Sequence, residues 1–388
     1  MNKNNRLSEA LETIDREFDI SALDWLISMY DPKSGGMYYS VSSRDNAEFE
    51  PDIESTAQTL SLLNKLGLIT EGDEINSIPE WFRSEVYRFL SERQDPDDGY
   101  FYDPVYRTTA NKAKKERNTL FAANTFKYYI GKPTPYKTPM ERFSASKVSD
   151  QPTDSDQSMY KSKESYLSWL ESIRANQPDS YHWGSDISSG RAMITAAGHK
   201  QTTIDWLKSI QNTENGTWED KFDITAVNGV LKICGYFGGE EPFPNYEVYV
   251  KNVIDFTKTF EPYSAASAWN PMGSLRVVLQ TIPGGVPPHL KQKLEDSIAE
   301  MIENTTVQMR KFRQPDGGFG YRKGGSSVYS NDVKVSLGLA EGDVNALALM
   351  SLIYDEAYVL SGTPSSCVWA KYRDYFYEKM KEKYDSVH

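Results

Sequence analysis

Two kinds of helical stretch alternate along the chain. In the first kind, apolar side chains recur three and four residues apart, as in 204–210, which is typical of a helix with one face on a core. In the second kind, charge is sparse and apolar or small residues occupy nearly every face, which is typical of a helix buried on most sides. The alternation predicts outer helices at 21–30, 79–94, 160–176, 200–212, 243–260, 285–312 and 364–384, and inner helices at 56–66, 119–130, 187–198, 225–237, 264–279 and 345–360.

A recurring joint connects each outer stretch to the next inner one. Gln211 is followed by Gly216 and Trp218, and the same Gln-x4-Gly-x-aromatic spacing recurs in 94–101. The glycine is expected to end the helix and turn the chain. Looser copies of the joint occupy 25–37, 169–181 and 314–319. An internal repeat of this kind indicates one structural unit used several times.

Six outer-inner pairs and a closing helix predict an all-α fold, an α/α toroid. It is an (α/α)6 barrel with six inner and six to seven outer helices. We predict one toroid domain over residues 1–388, with a mobile insertion near 134–158, where the chain is rich in Ser, Asp and Gln.

The joints resemble the Gln/Trp repeats of squalene-hopene cyclases. The run 314–320, Gln-Pro-Asp-Gly-Gly-Phe-Gly, looks like the repeat of terpenoid cyclases and of protein prenyltransferase β subunits. The resemblance implies the toroid fold of that superfamily. Toroids also serve polysaccharide lyases and glycoside hydrolases, so the fold does not define the reaction. We expect the joints themselves to be structural.

Carboxylates stand at the starts of three inner helices. Glu54, Asp223 and Asp343 each open an acid-x-polar-Ala run. Inner helices of a toroid start on the same face, so these acids are predicted to surround the mouth of the central cavity. One interpretation is helix capping, in which a carboxylate accepts hydrogen bonds from free backbone N–H groups. The other is catalysis.

The first copy carries two acids, Asp52 and Glu54. The run 52–57 resembles the Asp-x-Asp-Asp-Thr-Ala box of class II terpenoid cyclases, with Ser55 in place of the last Asp. The resemblance implies that Glu54 stands at the proton donor's position. Two close carboxylates also split their pKa values into one acid and one base. The predicted catalytic residues are therefore Glu54, Asp52, Asp223 and Asp343.

Long loops on the same face carry acids and aromatic side chains. Ordered loops of this length are usually functional. Aromatic rings beside amides suit a sugar, whereas Arg191 and Arg276 suit a carboxylate or a diphosphate. The predicted substrate-binding residues are Tyr38, Tyr39, Tyr100, Tyr102, His182, Trp183, Asp186, Arg191, Trp218, Arg276 and Tyr321.

Composition narrows the possible partners. The chain has 43 Lys and Arg against 55 Asp and Glu, a net charge of -12, which disfavours nucleic acid. No apolar run is long enough for a membrane span, and the N-terminus lacks the apolar core of a signal peptide, so we expect a cytoplasmic protein.

Two cysteines and four histidines build no zinc site of the prenyltransferase or lanthionine cyclase type. Asp95, Asp97 and Asp98 are a candidate Mg²⁺ or Ca²⁺ site, but they also match an ordinary polar turn, so we predict no cofactor.

Three functions remain open. The first is a terpenoid-cyclase-like enzyme, an isomerase or lyase, with an acid at the mouth that protonates an isoprenoid-type substrate. The second is a carbohydrate-active enzyme, a glycoside hydrolase or polysaccharide lyase. The third is a binding toroid without catalysis. Each predicts a small-molecule or oligosaccharide ligand in the central cavity, and none specifies the oligomeric state.

Overall fold

The computed structural model describes residues 3–145 and 159–388. Within those ranges the helices are α1 (Lys3–Asp15), α2 (Ile20–Ser28), α3 (Val41–Arg44), α4 (Ile53–Lys65), α5 (Glu74–Ser77), α6 (Glu80–Ser91), α7 (Lys112–Thr125), α8 (Pro139–Ala145), α9 (Lys163–Asn176), α10 (Ser180–Ser189), α11 (Arg191–Ala196), α12 (Lys200–Ile210), α13 (Ile224–Ile233), α14 (Tyr246–Thr257), α15 (Ala265–Gln280), α16 (Pro288–Arg310), α17 (Val344–Ser361) and α18 (Arg373–Asp385). Strands β1 (Tyr329–Ser330) and β2 (Val333–Lys334) form a small antiparallel hairpin. The all-α class is confirmed.

Six helices pack side by side as an inner layer. Their order is α7, α4, α17, α15, α13 and α10, and each packs closely on the next. The remaining pair, α7 and α10, makes weaker contact than any other neighbours in this series. Outer helices lie against this layer: α14 covers α15, α16 covers α17 and α14, and α1 packs on α16. The inner helices therefore follow one another in a single layer, whose first and last members, α7 and α10, are the least closely packed pair.

The predicted outer helices agree with α2, α6, α9, α12, α14, α16 and α18 to within a few residues, except that α18 starts nine residues later than predicted. Helix α1 carries no repeat joint and was not predicted. The third inner helix was placed wrongly at 187–198. It runs instead from Ser180 to Ser189, because Asp179 caps it by accepting the His182 N–H at 3.0 Å and Trp183 and Ile187 are buried. Helix α11 is a separate turn after Gly190.

The second inner helix also begins earlier than its apolar pattern indicates. We predicted 119–130, but α7 starts at Lys112, after an Asn111 cap that accepts the Lys114 N–H at 2.9 Å. Its first turns are charged, and the sequence indicates a loop for them. The last predicted turn, 126–130, is a π-helical turn that ends at Gly131.

Glutamine side chains hold the joints together. The Gln211 amide donates to the carbonyls of Gly216 and Pro244, both at 2.9 Å, and its oxygen accepts from the Asn245 side chain at 2.6 Å. One side chain thus ties the turn to the start of α14. Gln94 bonds the backbone of Tyr136 in the same way, with an acceptor and a donor both at 2.8 Å. The joints are structural, as expected.

Backbone conformation explains why these joints contain glycine. Gly216 has φ of 75°, in the left-handed region, and a Cβ atom there would lie 2.8 Å from the Tyr249 nitrogen. Only glycine meets both conditions without strain. The corresponding Gly35, Gly99 and Gly317 also have positive φ.

The C-terminal segment anchors the far end of α4. The Trp369 backbone N–H donates to the Leu66 carbonyl, and its indole N–H donates to the Phe18 carbonyl, both at 2.8 Å. Trp369 is fully buried. No helix in the described ranges is long and apolar enough to cross a bilayer. Of the predicted insertion near 134–158, α8 is described, and residues 146–158 lie outside the described residues.

Replacing Gln211 with alanine is expected to lower the free energy of unfolding by about 2 kcal/mol, because two backbone carbonyls and the Asn245 side chain lose their partner. Urea denaturation of the variant measures this loss. The control is Gln201→Ala, an exposed glutamine on α12 whose amide bonds Asp205 at 2.9 Å. Equal stability of the two variants would contradict the structural role of the joint.

Candidate functional site

The starts of the inner helices meet in one place. Residues 37–40 bridge two of them, since Met37 pairs with Asp52 and Ser40 pairs with Asp343. Asp52 caps α4 and Asp343 caps α17. The starts of α4 and α17 therefore lie next to each other, and both acids are buried rather than facing solvent.

Glu54 is the most heavily bonded of these acids. Its side chain is 3% exposed, and its Oε1 accepts from Arg117 Nε at 2.8 Å and Nη2 at 2.6 Å. Its Oε2 accepts from Lys114 Nζ at 3.0 Å. Burial raises the pKa of Glu54, but the charges of Arg117 and Lys114 outweigh it and lower that pKa to about 2. Glu54 is therefore a carboxylate at neutral pH and a poor proton donor.

The two cations that hold Glu54 come from the first turns of α7. Lys114 and Arg117 are three residues apart, so both lie on one face of the helix. The Lys114 side chain is 2% exposed. Its pKa is raised despite burial, because Glu54, Asp52 and Asp103 surround it. Our sequence prediction missed both residues. The available signal was their helical spacing inside a segment predicted to be a long loop.

Asp52 and Asp103 form a second, protonatable pair of carboxyl groups beside Lys114. Asp52 accepts from the Ser55 N–H and the Ser55 hydroxyl, both at 2.7 Å. Asp103 accepts from the Ile53 N–H and the Asn118 amide, both at 2.9 Å. Burial first, and then the charge of Asp103, raise the pKa of Asp52 well above its usual range, and burial also raises that of Asp103. Each carboxyl of the pair therefore favours its protonated form more than a solvent-exposed aspartic acid does.

This arrangement favours Asp52 over Glu54 as the acid of the 52–57 box. Ser55, which replaces the last Asp of the cyclase box, donates two hydrogen bonds to Asp52. Asp103 came from a loop that sequence analysis singled out as acidic, but its pairing with Asp52 depends on the fold.

The β1-β2 hairpin covers these acids. Ser330 donates to Glu54 Oε2 at 3.2 Å, and Asn111 donates to Asp332 at 2.9 Å. The Tyr106 hydroxyl donates to the Lys334 carbonyl. Val333 and Val335 pack with Tyr39 and Tyr106 in a small apolar cluster above the inner helix starts. A few polar bonds and one small apolar cluster thus hold the hairpin against the starts of these inner helices.

Asp343 is a buried cap at the same end. It accepts from the Ala346 N–H and the Tyr321 N–H, both at 2.7 Å. Burial raises the pKa of Asp343 to about 7. Tyr39 is held beside this cap, because its carbonyl accepts the Val344 N–H at 2.9 Å. Burial, and then the charges of Asp343 and Glu54, raise the pKa of Tyr39. Of the predicted binding residues, Tyr39 and Tyr321 therefore lie at the site.

Asp223 only caps its helix. It is exposed and accepts from the N–H groups of Thr225 at 2.8 Å and Ala226 at 3.1 Å, which is the capping interpretation given above. The aromatic residues Trp183 and Trp218 are packing residues: their rings meet edge to face at 6.4 Å, and Trp218 donates to the Leu207 carbonyl.

The other predicted residues bond to groups away from the acids. Tyr102 donates to Asp98 at 2.6 Å beside Tyr100, and Tyr38 lies partly buried against the core. Arg276 is engaged by Asp355 at 2.8 Å and Glu356 at 3.3 Å. Three more are exposed and bond locally: His182 to Asp179, Asp186 to Gln177 and Arg191 to the Gly235 carbonyl.

The Asp95–Asp98 turn is held by its own bonds. Asp95 accepts from the N–H groups of Asp97 at 2.8 Å and Asp98 at 3.3 Å, and pairs with Arg107. These carboxylates are used as turn acceptors. No group of three or more His, Cys, Asp or Glu side chains suited to a metal ion occurs within residues 3–145 and 159–388.

Apolar side chains on α7 and α17 are left uncovered. Leu120 and Phe121 follow Arg117 by one helical turn on α7, so they share its face, and Leu120 is 62% exposed. On α17, Leu349, Leu352 and Val359 follow Asn345 at helical spacing and are partly or largely exposed. Exposed apolar side chains on inner helices are uncovered surface available to a ligand.

A separate cleft lies at the other end of α4. It has a volume of about 560 Å³ and is lined by Asp15, Phe18, Ser366, Cys367 and Tyr372, among others. A neighbouring cleft of about 400 Å³ shares Asp15 and Ser366. Neither contains a predicted site residue.

No family model and no curated protein sequence matches this chain. Among solved structures, it is similar to the type II terpene cyclase MstE from Scytonema, in complex with its product merosterolic acid A. The identity is 12%, the match covers 93% of this chain and 98% of that one, and the TM-score is 0.42. This similarity is too low to match individual residues of the two chains.

Replacing Glu54 with glutamine is expected to destabilise the fold by about 3–5 kcal/mol, because Lys114 is left as an unpaired buried cation. Adding Lys114→Met to this variant is expected to recover part of the loss. Both are measured by chemical denaturation. The control is Glu48→Gln, which removes an exposed partner of Lys334 and is expected to change stability by about 0.5 kcal/mol or less. Similar values for the two single variants would contradict the buried ion cluster.

Proposed function

We propose that this chain is an acid–base enzyme of terpenoid-cyclase type, in which Asp52 donates a proton to an isoprenoid-type substrate in the central channel. The observation that carries the proposal is the buried pair Asp52 and Asp103. Because the pKa of the pair is raised, a carboxyl group stays protonated near neutral pH, which is the property required of a general acid.

The groups around Asp52 would stabilise the carboxylate that forms when it gives up its proton. The carboxylate formed would keep its two hydrogen bonds from Ser55 and lie close to the Lys114 ammonium. Fixed donors aimed at a developing charge act strongly where water is excluded. Glu54 contributes by holding Lys114 and Arg117 in position, and it is a positioning residue in this proposal.

The reaction balances without a cofactor. The Asp52 O–H bond breaks as a C=C π pair or an epoxide oxygen takes the proton, which leaves a carbocation. Neighbouring C=C bonds attack it and close rings. Loss of a proton from carbon then forms a new alkene and returns a proton to the carboxylate pair. Substrate and product have the same composition, so the reaction is an isomerisation.

The channel wall supports an apolar substrate. Leu120, Phe121, Leu349 and Leu352 present uncovered hydrocarbon below the acids. Burying such surface against a hydrocarbon chain is favourable by about 25 cal/mol per Å². A substrate packed against these side chains would displace water, which would otherwise capture the carbocation.

Access to Asp52 requires movement of the hairpin. Asp52 is 5% exposed, and the β1-β2 hairpin covers the acids through Ser330, Asp332 and Lys334. These few bonds are weak enough for a covering segment to open and close. In this proposal, substrate enters after the hairpin has been displaced.

Asp52→Asn is expected to abolish conversion of isoprenoid substrates, because the amide keeps the cap but has no acidic proton. In the unchanged protein, conversion should fall as pH rises through the raised pKa of the pair, since the active form is protonated. Product formation from an isoprenoid panel, followed by mass spectrometry across pH, measures both effects.

The control for this substitution is Asp19→Asn, which changes the cap of an outer helix, where Asp19 accepts the Ala22 N–H at 3.1 Å. It should retain full conversion. Undiminished conversion by Asp52→Asn, or conversion that rises with pH across the neutral range, would contradict Asp52 as the proton donor.

A further inference from the structure

Gln58 lies one helical turn beyond Glu54 on α4 and joins that helix to α17. Its amide nitrogen donates to Glu54 Oε1 at 3.3 Å and to Asn345 Oδ1 at 2.9 Å. Its amide oxygen has no hydrogen-bond partner among the described residues, although the side chain is only 6% exposed. A buried polar atom without a partner is uncommon in a folded protein, and it points to a bound group that the chain itself does not supply.

The charge of Glu54 determines which way both amides point. Glu54 is ionised, and a carboxylate only accepts hydrogen bonds, so the amide nitrogen of Gln58 must face it. The same nitrogen donates to Asn345, which therefore turns its oxygen toward Gln58 and its own nitrogen away. That nitrogen donates no hydrogen bond within residues 3–145 and 159–388. The pair thus keeps one free acceptor, Gln58 Oε1, and one free donor, Asn345 Nδ2.

The two helix faces that carry this amide pair continue into side chains that are partly exposed. On α4, Ser61 and Lys65 follow Gln58 at the spacing of one helical face. On α17, Leu349 follows Asn345 by four residues, and Asn345 is itself partly exposed. A ligand packed against these faces therefore lies next to the amide pair, with its hydrocarbon part against Leu349.

The next two inner helices carry a similar pair of amides. Asn270 on α15 donates to Asn228 Oδ1 on α13 at 2.5 Å, and both side chains are partly exposed. Asn270 lies six residues after its helix cap at Ser264, and Gln58 lies six residues after Asp52, so both stand at a similar distance from the helix start. Covering these amides with a plain hydrocarbon would leave them without partners, which is unfavourable.

We propose that Gln58 and Asn345 bind one neutral hydroxyl group of the ligand, which is therefore an alcohol. The hydroxyl donates to Gln58 Oε1 and accepts from Asn345 Nδ2, so a single oxygen atom satisfies both free groups. An ether oxygen accepts but cannot donate, and a hydrocarbon does neither. The inference rests on the proposed function in taking the inner helices as the substrate site.

Three probes with related hydrocarbon chains test the hydroxyl site: geraniol, geranyl methyl ether and myrcene. Titration calorimetry should give geraniol about 10-fold tighter binding than the ether, because the ether cannot donate to Gln58 Oε1, and about 10- to 100-fold tighter binding than myrcene. Gln58→Met should make geraniol and the ether bind equally. Asn345→Ala, at a partly exposed position, should remove the preference for the ether over myrcene.

The matched control is Gln308→Met on outer helix α16. Gln308 is 8% exposed, and its amide also donates to an asparagine, Asn304, at 3.4 Å. This variant should keep every preference of the unchanged protein. Equal binding of the three probes, binding of none, or an unchanged geraniol preference in Gln58→Met would overturn the site. Equal binding is also the result expected where a water molecule alone occupies the amide pair.

Asp52→Asn distinguishes this inference from the proposed function. That variant should lose conversion of isoprenoid substrates but keep the preference for geraniol over its ether, because Asp52 bonds Ser55 and not the amide pair. A hydroxyl preference that depends on Gln58, in a protein that converts no isoprenoid, would retain the site and reject the cyclase proposal. Conversion that Asp52→Asn abolishes, together with equal binding of all three probes, would do the opposite.

Discussion

The buried carboxylate of Glu54 is the constraint on which the rest of the site depends. Removing it from water is costly, and the cost is met only because Lys114 and Arg117 bind both of its oxygens. That requirement fixes the position of α7 against α4. It also places the Lys114 ammonium beside Asp52 and Asp103, where it limits how far their pKa values rise. One ion cluster thus determines both the packing of two inner helices and the protonation of the adjacent acid pair.

The same cluster places cations where the sequence indicates only acids. The chain carries a net charge of -12, and its inner helices start with acids, so an anionic ligand is expected to be repelled. Two cations from α7, Lys114 and Arg117, instead lie among these acids and bind Glu54. Arg191 and Arg276, the cations that the sequence suggested for this role, are engaged by a backbone carbonyl and by Asp355 and Glu356. Net charge describes the whole surface, whereas a few side chains around a buried site decide which charge is favoured there.

Most of the fold was predictable because its signals are local. Apolar spacing identified the outer helices, and the Gln-x4-Gly-x-aromatic spacing located the joints, where Gln211 and Gly216 act within their own turn. The errors fall where tertiary contacts override the pattern. Helix α7 begins with charged turns that are buried only because Glu54 lies opposite, and the third inner helix begins at Ser180, seven residues before the predicted start.

The sequence by itself determined that acids begin these inner helices, because a cap depends on residues two or three positions away. It aligned Glu54 with Asp223 and Asp343, whereas the acid that caps α4 is Asp52. Asp52, Asp223 and Asp343 all behave in this way. Only the tertiary structure decided what those acids do. Lys114 lies 60 residues from Glu54 along the chain, and Asp103 lies 50 residues from Ile53, whose N–H it accepts. Protonation depends on which charges surround a buried group, and that neighbourhood is assembled from helices and loops whose sequence separation carries no information about their distance.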